Sequence, residues 1–181
     1  GINADYRGYC GNLWQTTGAG FGPGRTLGAA NAGGAGHGGA GGSSASAGGT
    51  VYGSAEAPLV PGSSGGRHSS YIPRGDGGGL IRIEASGNVL VNGVLTANGR
   101  SQGNRCGPGS GGGIYVRCST FAGTNGLVSA NGGDGWLGQG AGGGGGGRIA
   151  ILYTNTAAQS VLPPPRVRFS ALGGYGRYGA A

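Results

Sequence analysis

The chain contains no lysine and no methionine, and only five of its 181 residues are acidic: Asp5, Glu56, Asp76, Glu84 and Asp134. No two of them lie within seven residues of one another. Enzymes that cut polysaccharides need clustered carboxylates, for calcium binding or acid–base work, and here only folding could assemble such a cluster. No enzymatic activity is expected. Histidine is scarcer still, with His37 and His68 alone, and the three cysteines form no C-x-x-C pair. A zinc site is therefore not expected, nor any other metal or cofactor. No signal or transmembrane segment is read, so membrane insertion is not expected either. The chain begins at Gly1 rather than methionine, which fits a processed or excerpted polypeptide. No N-x-S/T sequon is present, and N-glycosylation is not expected.

What the chain has in abundance is glycine, 51 residues against 8 prolines. No Gly-X-Y frame is sustained, which excludes collagen. Uniform disorder fits poorly, because three patterned apolar segments interrupt the glycine. Glycine costs about 0.5–1 kcal/mol more than alanine to fix in regular structure. An ordered chain of this composition needs dense backbone hydrogen bonding, or a close approach of segments that a Cβ would block. Gly33, Gly36, Gly39 and Gly42 keep a three-residue period, and Gly132, Gly135, Gly138, Ala141, Gly144 and Gly147 repeat it. Three residues per turn is the period of polyproline II, whose backbone groups point outward and need neighbours to satisfy them. Packed polyglycine II segments and a flexible linker are the two readings of these tracts.

The formal charge is +7, and all 12 basic residues are arginine, spread from Arg7 to Arg177 with no run of three. Such scattering suits solubility or polyanionic glycans better than nucleic acid, which is not expected as a partner. Arg74-Gly75-Asp76 matches a cell-attachment tripeptide, but in a chain rich in Arg and Gly it is read as chance. Gly132-Gly133-Asp134-Gly135 resembles a calcium-binding turn only superficially, since it occurs once and lacks a nonapeptide frame.

Two stretches superpose with a 33-residue offset. Ile81-Arg82-Ile83-Glu84-Ala85 leads to Val91-Asn92-Gly93-Val94-Leu95-Thr96-Ala97-Asn98-Gly99. Ile114-Tyr115-Val116-Arg117-Cys118 leads to Thr124-Asn125-Gly126-Leu127-Val128-Ser129-Ala130-Asn131-Gly132. In both, apolar residues alternate with polar ones at the period of a half-buried strand. A third copy places Ile149, Ile151 and Tyr153 inward, then carries an insertion with Pro163-Pro164-Pro165 before Val167. Equivalence of the copies predicts one inward row of Ile81, Ile114 and Ile149 and a second of Ile83, Val116 and Ile151. The Asn-Gly pairs at 92–93, 98–99, 125–126 and 131–132 read as turns. Residues 51–74 read as irregular loop with one short strand, and nothing reads as a helix.

The fold class expected is all-β: a glycine-rich β-solenoid of short strands with repeats of about 33 residues, its glycine tracts packed as polyglycine II helices, and essentially no α-helix. Residues 1–16 read as an N-terminal cap or junction and 17–74 as a glycine-rich lead-in. Residues 75–181 read as three repeats, about 77–109, 110–143 and 144–176, plus a short tail.

The succession of "VNGVLTANG", "GGGIYVRCSTFAGTNGLVSANGGDG" and "GGGGGGRIAILY", with His37, Tyr52 and Pro58 upstream, resembles the glycine-rich solenoid modules of very large secreted or surface proteins of bacteria, protists and algae. What the resemblance implies is an extracellular structural or adhesive role at the cell surface. The proline insertion of the third copy departs from that pattern.

Tyr6, Tyr9, Trp14, Tyr115, Trp136, Tyr175 and Tyr178 are the candidate contact residues, because aromatic rings on a rigid scaffold can stack sugars or a neighbouring subunit. The alternative is that they cover the ends of the stack. Cys118 falls in the inward phase of its strand, and Cys106 lies in the glycine-rich connection within reach of Cys118 or Cys10. A Cys106–Cys118 disulfide is the first candidate, with Cys10 free or bonded to another molecule. The function expected is a non-catalytic extracellular module of a fibre, filament or adhesin that associates with itself or with adjacent modules. The alternative is a carbohydrate- or ice-binding module, although the scattered threonines form no ice-binding ladder.

Overall fold

The computed structural model describes residues 1–11, 18–68, 75–136, 138 and 140–176. Among them the regular structure is nearly all β. The strands are β1 (Ile2–Asn3), β2 (Leu80–Glu84), β3 (Val89–Leu90), β4 (Val94–Thr96), β5 (Gly113–Cys118), β6 (Phe121–Ala122), β7 (Gly126–Ser129), β8 (Arg148–Tyr153) and β9 (Val167–Ser170). They form three sheets in the orders β1-β4-β7-β9, β2-β5-β8 and β3-β6, and every strand pair is parallel.

The register follows the sequence alignment of the copies. Ile81 pairs with Ile114 and Ile114 with Ile149; Ile83 pairs with Val116 and Val116 with Ile151. A third row runs from Ile2 through Leu95 and Val128 to Phe169. The rows face one core, in which Ile81, Val91, Leu95, Ile114, Val116, Phe121 and Val128 are buried together. Each fully buried aliphatic side chain contributes about 1.5–3 kcal/mol. A slip of one residue would turn the whole row outward, so the pattern pins the register.

Two of the four Asn-Gly pairs, 98–99 and 131–132, show no turn, whereas the chain bends at Asn92-Gly93 and at Asn125 as the sequence reads. The Asn98 side-chain oxygen accepts the Asn131 N–H at 2.8 Å, and the Asn131 oxygen accepts the Leu172 N–H at 2.9 Å. The Asp5 carboxylate accepts the Asn98 N–H at 2.7 Å, and Asn92 likewise accepts from Thr124. None of the four pairs takes a positive φ. At Asn98 and Asn131 parallel pairing places an N–H of the neighbouring segment against the amide oxygen, and this bond replaces the local turn.

The glycine segments are bonded through their backbones in a three-residue cycle, clearest over residues 62–67. Gly62 and Gly65 donate to Gly78 and Gly75, while Ser64 and Arg67 donate to Phe21 and Gly18. Ser63 and Gly66 face a third neighbour, accepting from the Ser110 and Gly107 N–H groups. The tract at 142–147 does the same: Gly142 and Gly145 donate to Ala32 and Ala35, and Gly144 and Gly147 to Gly133 and Ala130. These tracts are ordered segments with neighbours on several sides, so the flexible-linker reading is set aside. Pro108, which has no N–H to place, serves only as an acceptor, from Ala35.

The third copy deviates where its sequence does. No strand continues the β3-β6 sheet; instead a five-residue helix, α1 (Thr156–Ser160), occupies the insertion. Asn155 caps it by accepting the Ala158 N–H. The Gln159 amide then bonds the Phe121 backbone on both sides, accepting its N–H at 2.7 Å and donating to its carbonyl at 3.0 Å. One side chain thereby imitates a strand and closes the β6 edge. The short strand expected within 51–74 is absent from the described part of that segment.

Candidate functional site

The aromatic positions singled out in the sequence do not converge on one place. Tyr115 is 8% exposed and belongs to the buried part of β5. Tyr6 takes a positive φ of 61° and lies under the Arg100 guanidinium, 4.9 Å from its ring centre. Arg100 is tied in turn to the buried Asp76, at 3.2 Å. Tyr9 stands nearby, its N–H on Gly62. Trp14 and Tyr178 lie outside the described residues. The Tyr175 backbone is bonded next to Trp136 in the chain: Gly135 donates to the Tyr175 carbonyl at 2.7 Å, and Asp134 accepts the Tyr175 N–H at 2.8 Å.

Asp76 also accepts the Gly11 N–H at 2.7 Å and is 2% exposed, so its carboxylate cannot present an attachment motif. Asp134 is engaged with the Tyr175 backbone, and among the described residues no three His, Cys, Asp or Glu side chains are placed to hold a metal ion. No helix among them is long and apolar enough to cross a membrane.

All three cysteines are free thiols, which corrects the Cys106–Cys118 pairing. Cys118 ends β5 in the sheet core, whereas Cys106 precedes that strand in the glycine segments, where its sulfur accepts the His68 N–H at 3.5 Å. Burial pushes both thiols above their ordinary pKa, which disfavours the reactive thiolate.

Two further features bear on function, and sequence reasoning missed the first, a buried polar knot. His37 is wholly enclosed, its ring 4.6 Å from that of Tyr52. Its Nδ1 lies 2.9 Å from the Gly111 carbonyl oxygen, which can only accept, so Nδ1 carries the proton. Nε2 has no hydrogen-bond partner among the described residues. The Tyr52 hydroxyl donates to Pro61 at 2.6 Å and accepts from Ser63 at 2.9 Å. Burial lowers the His37 pKa, with the Gly111 bond opposing and the Arg148 charge assisting, and it raises Tyr52 to about 12. Both rings are held neutral and join the lead-in to the strands. The sequence signal available was a lone histidine flanked by glycine, which says nothing about its stacking partner.

The second is a pair of strand edges. β2 ends its sheet on one side and β8 on the other, and β9 ends the four-stranded sheet. At the β8–β9 end the apolar rows emerge into solvent: Phe169 is 51% exposed although Val128 in the same row is fully buried. Comparison with known protein families, characterised proteins and solved structures finds no match.

Proposed function

We propose that the chain is a non-catalytic structural module: a β-solenoid of three stacked repeats joined to a bundle of polyglycine II helices, self-associating within an extracellular fibre, filament or surface adhesin. The observation that carries this reading is the pair of unpaired parallel edges, β2 and β8, at opposite ends of one sheet. An unpaired strand edge is a template for another strand, and a stack with apolar rows open at its end gains by continuing. The three-residue bonding cycle of residues 62–67 and 142–147 supports the polyglycine II assignment, because three residues per turn send successive N–H groups to different neighbours. Backbone bonding throughout the glycine tracts suits a load-bearing part more than a reactive one. The extracellular location rests on the resemblance to secreted glycine-rich solenoid modules.

Sedimentation velocity of the 181-residue chain across a hundredfold concentration range, with negative-stain imaging of the same samples, tests the assembly. Concentration-dependent growth into linear species is expected. A monodisperse monomer at the highest concentration contradicts self-association.

A further inference from the structure

We propose that the depression around Trp136 is a binding subsite for a neutral polysaccharide, with Trp136 as its stacking platform. The depression has a volume of about 480 Å³ and is lined by Ser101, Gln102, Gly103, Asn104, Asp134 and Trp136, together with Gly135. Its floor is a bonded scaffold. Gln102 donates to the Asp134 carbonyl at 2.8 Å, Asp134 donates to Ser101 Oγ at 2.9 Å, and Gly135 bridges Gln102 in parallel.

On this floor Trp136 is 46% exposed. Gly103 leaves room beside the indole: a Cβ there would stand 3.8 Å from the ring. A large aromatic ring held on a fixed backbone offers an amphipathic surface at low entropic cost. A pyranose presents a matching C–H face, with hydroxyls around its rim that both donate and accept. The rim of the depression supplies complementary groups: the Asn104 amide donates and accepts, and the exposed Asp134 carboxylate accepts. That carboxylate disfavours uronic acids at the same place. Asn104 and Arg105 both take positive φ, at 58° and 68°, so the backbone turns sharply at the wall of the depression. Phe169, another exposed aromatic, lies at the edge of an apolar row instead.

The subsite is independent of the assembly and stands whether or not the chain self-associates. The probes are hexasaccharides of β-1,4-linked glucose, β-1,4-linked N-acetylglucosamine and α-1,4-linked galacturonate, titrated calorimetrically into the full chain. At least one neutral hexasaccharide is expected to bind with a Kd of about 1 mM or tighter. Trp136→Ala should weaken it at least about tenfold, while Tyr9→Ala leaves it unchanged. A melting temperature close to the parent's for Trp136→Ala separates loss of the sugar contact from loss of the fold, since the residue is about half exposed. Absence of neutral-sugar binding, binding unaffected by Trp136→Ala, or binding of galacturonate alone, as expected of general attraction to a +7 chain, would each overturn the proposal.

Discussion

Gly111→Ala is expected to destabilise the protein by about 1–3 kcal/mol, the cost of overpacking a closed interior. Gly87→Ala should leave it unchanged or raise its stability by about 0.4–1 kcal/mol. Both changes add one methyl group, and the difference lies in what that methyl meets. At Gly111 a Cβ would collide with the Ala130 carbonyl, the Gly147 N–H and the Ala130 carbonyl carbon, all backbone. No side-chain rotation relieves that contact. Gly111 also donates to Gly145 and accepts from His37, so any shift away from Ala130 breaks bonds on two other sides. At Gly87 nothing lies within 4 Å. Chemical denaturation of the two variants alongside the parent checks the expectation. Equal stabilities would mean that the glycine segments are not packed backbone to backbone.

The second large effect is a loss of stability in acid carried by His37. Its folded-state pKa lies below the ordinary value of about 6.5, chiefly through burial. The unfolded chain therefore binds a proton at a pH where the folded one does not. The stability this neutral ring contributes is fully present above about pH 6.5 and is lost as the pH falls towards the folded value. Each pH unit in that window removes at most about 1.4 kcal/mol. Tyr52 sets the opposite limit. Its pKa of about 12 exceeds the unfolded 10, so its contribution holds below pH 10 and fades from there towards 12. Denaturation from pH 8 to pH 4.5 should show the acid slope in the parent and a flatter profile in His37→Gln. Parallel profiles would mean that His37 is protonated in the folded state or that other groups carry the acid limb.

Those two groups mark what the sequence shows and what it hides. The rows Ile81–Ile114–Ile149 and Ile83–Val116–Ile151 were legible, because a 33-residue offset combined with a two-residue alternation leaves one register. The three-residue glycine period pointed to the backbone bonding now seen over 142–147, though it left the linker reading open. The partners of that tract were not legible: Gly145 meets Ala35, 110 residues away in sequence, and glycine carries no side chain to specify it. Asn98 and Asn131 misled for a physical reason, since Asn favours turns and also bonds the next layer of a parallel stack, and the local sequence is the same in both cases. The helix α1 and the Gln159 strand mimicry lie in the proline insertion, where the alignment with the other copies stops. Of the aromatic candidates, spacing along the chain could not show that Tyr115 would be covered while Trp136 and Tyr175 would stay exposed.

The central claim is that the glycine-rich tracts are structure rather than linker, and amide hydrogen exchange tests it most directly. Gly142, Gly144 and Gly145 donate to Ala32, Gly133 and Ala35, and Gly65 donates to Gly75. Their exchange should be slowed by on the order of a thousandfold or more relative to an unstructured peptide, matching the strand amides of Ile114 and Val116, because tracts and strands open only together. Exchange of these four glycine amides at free-peptide rates, while the strand amides stay protected, would contradict the account.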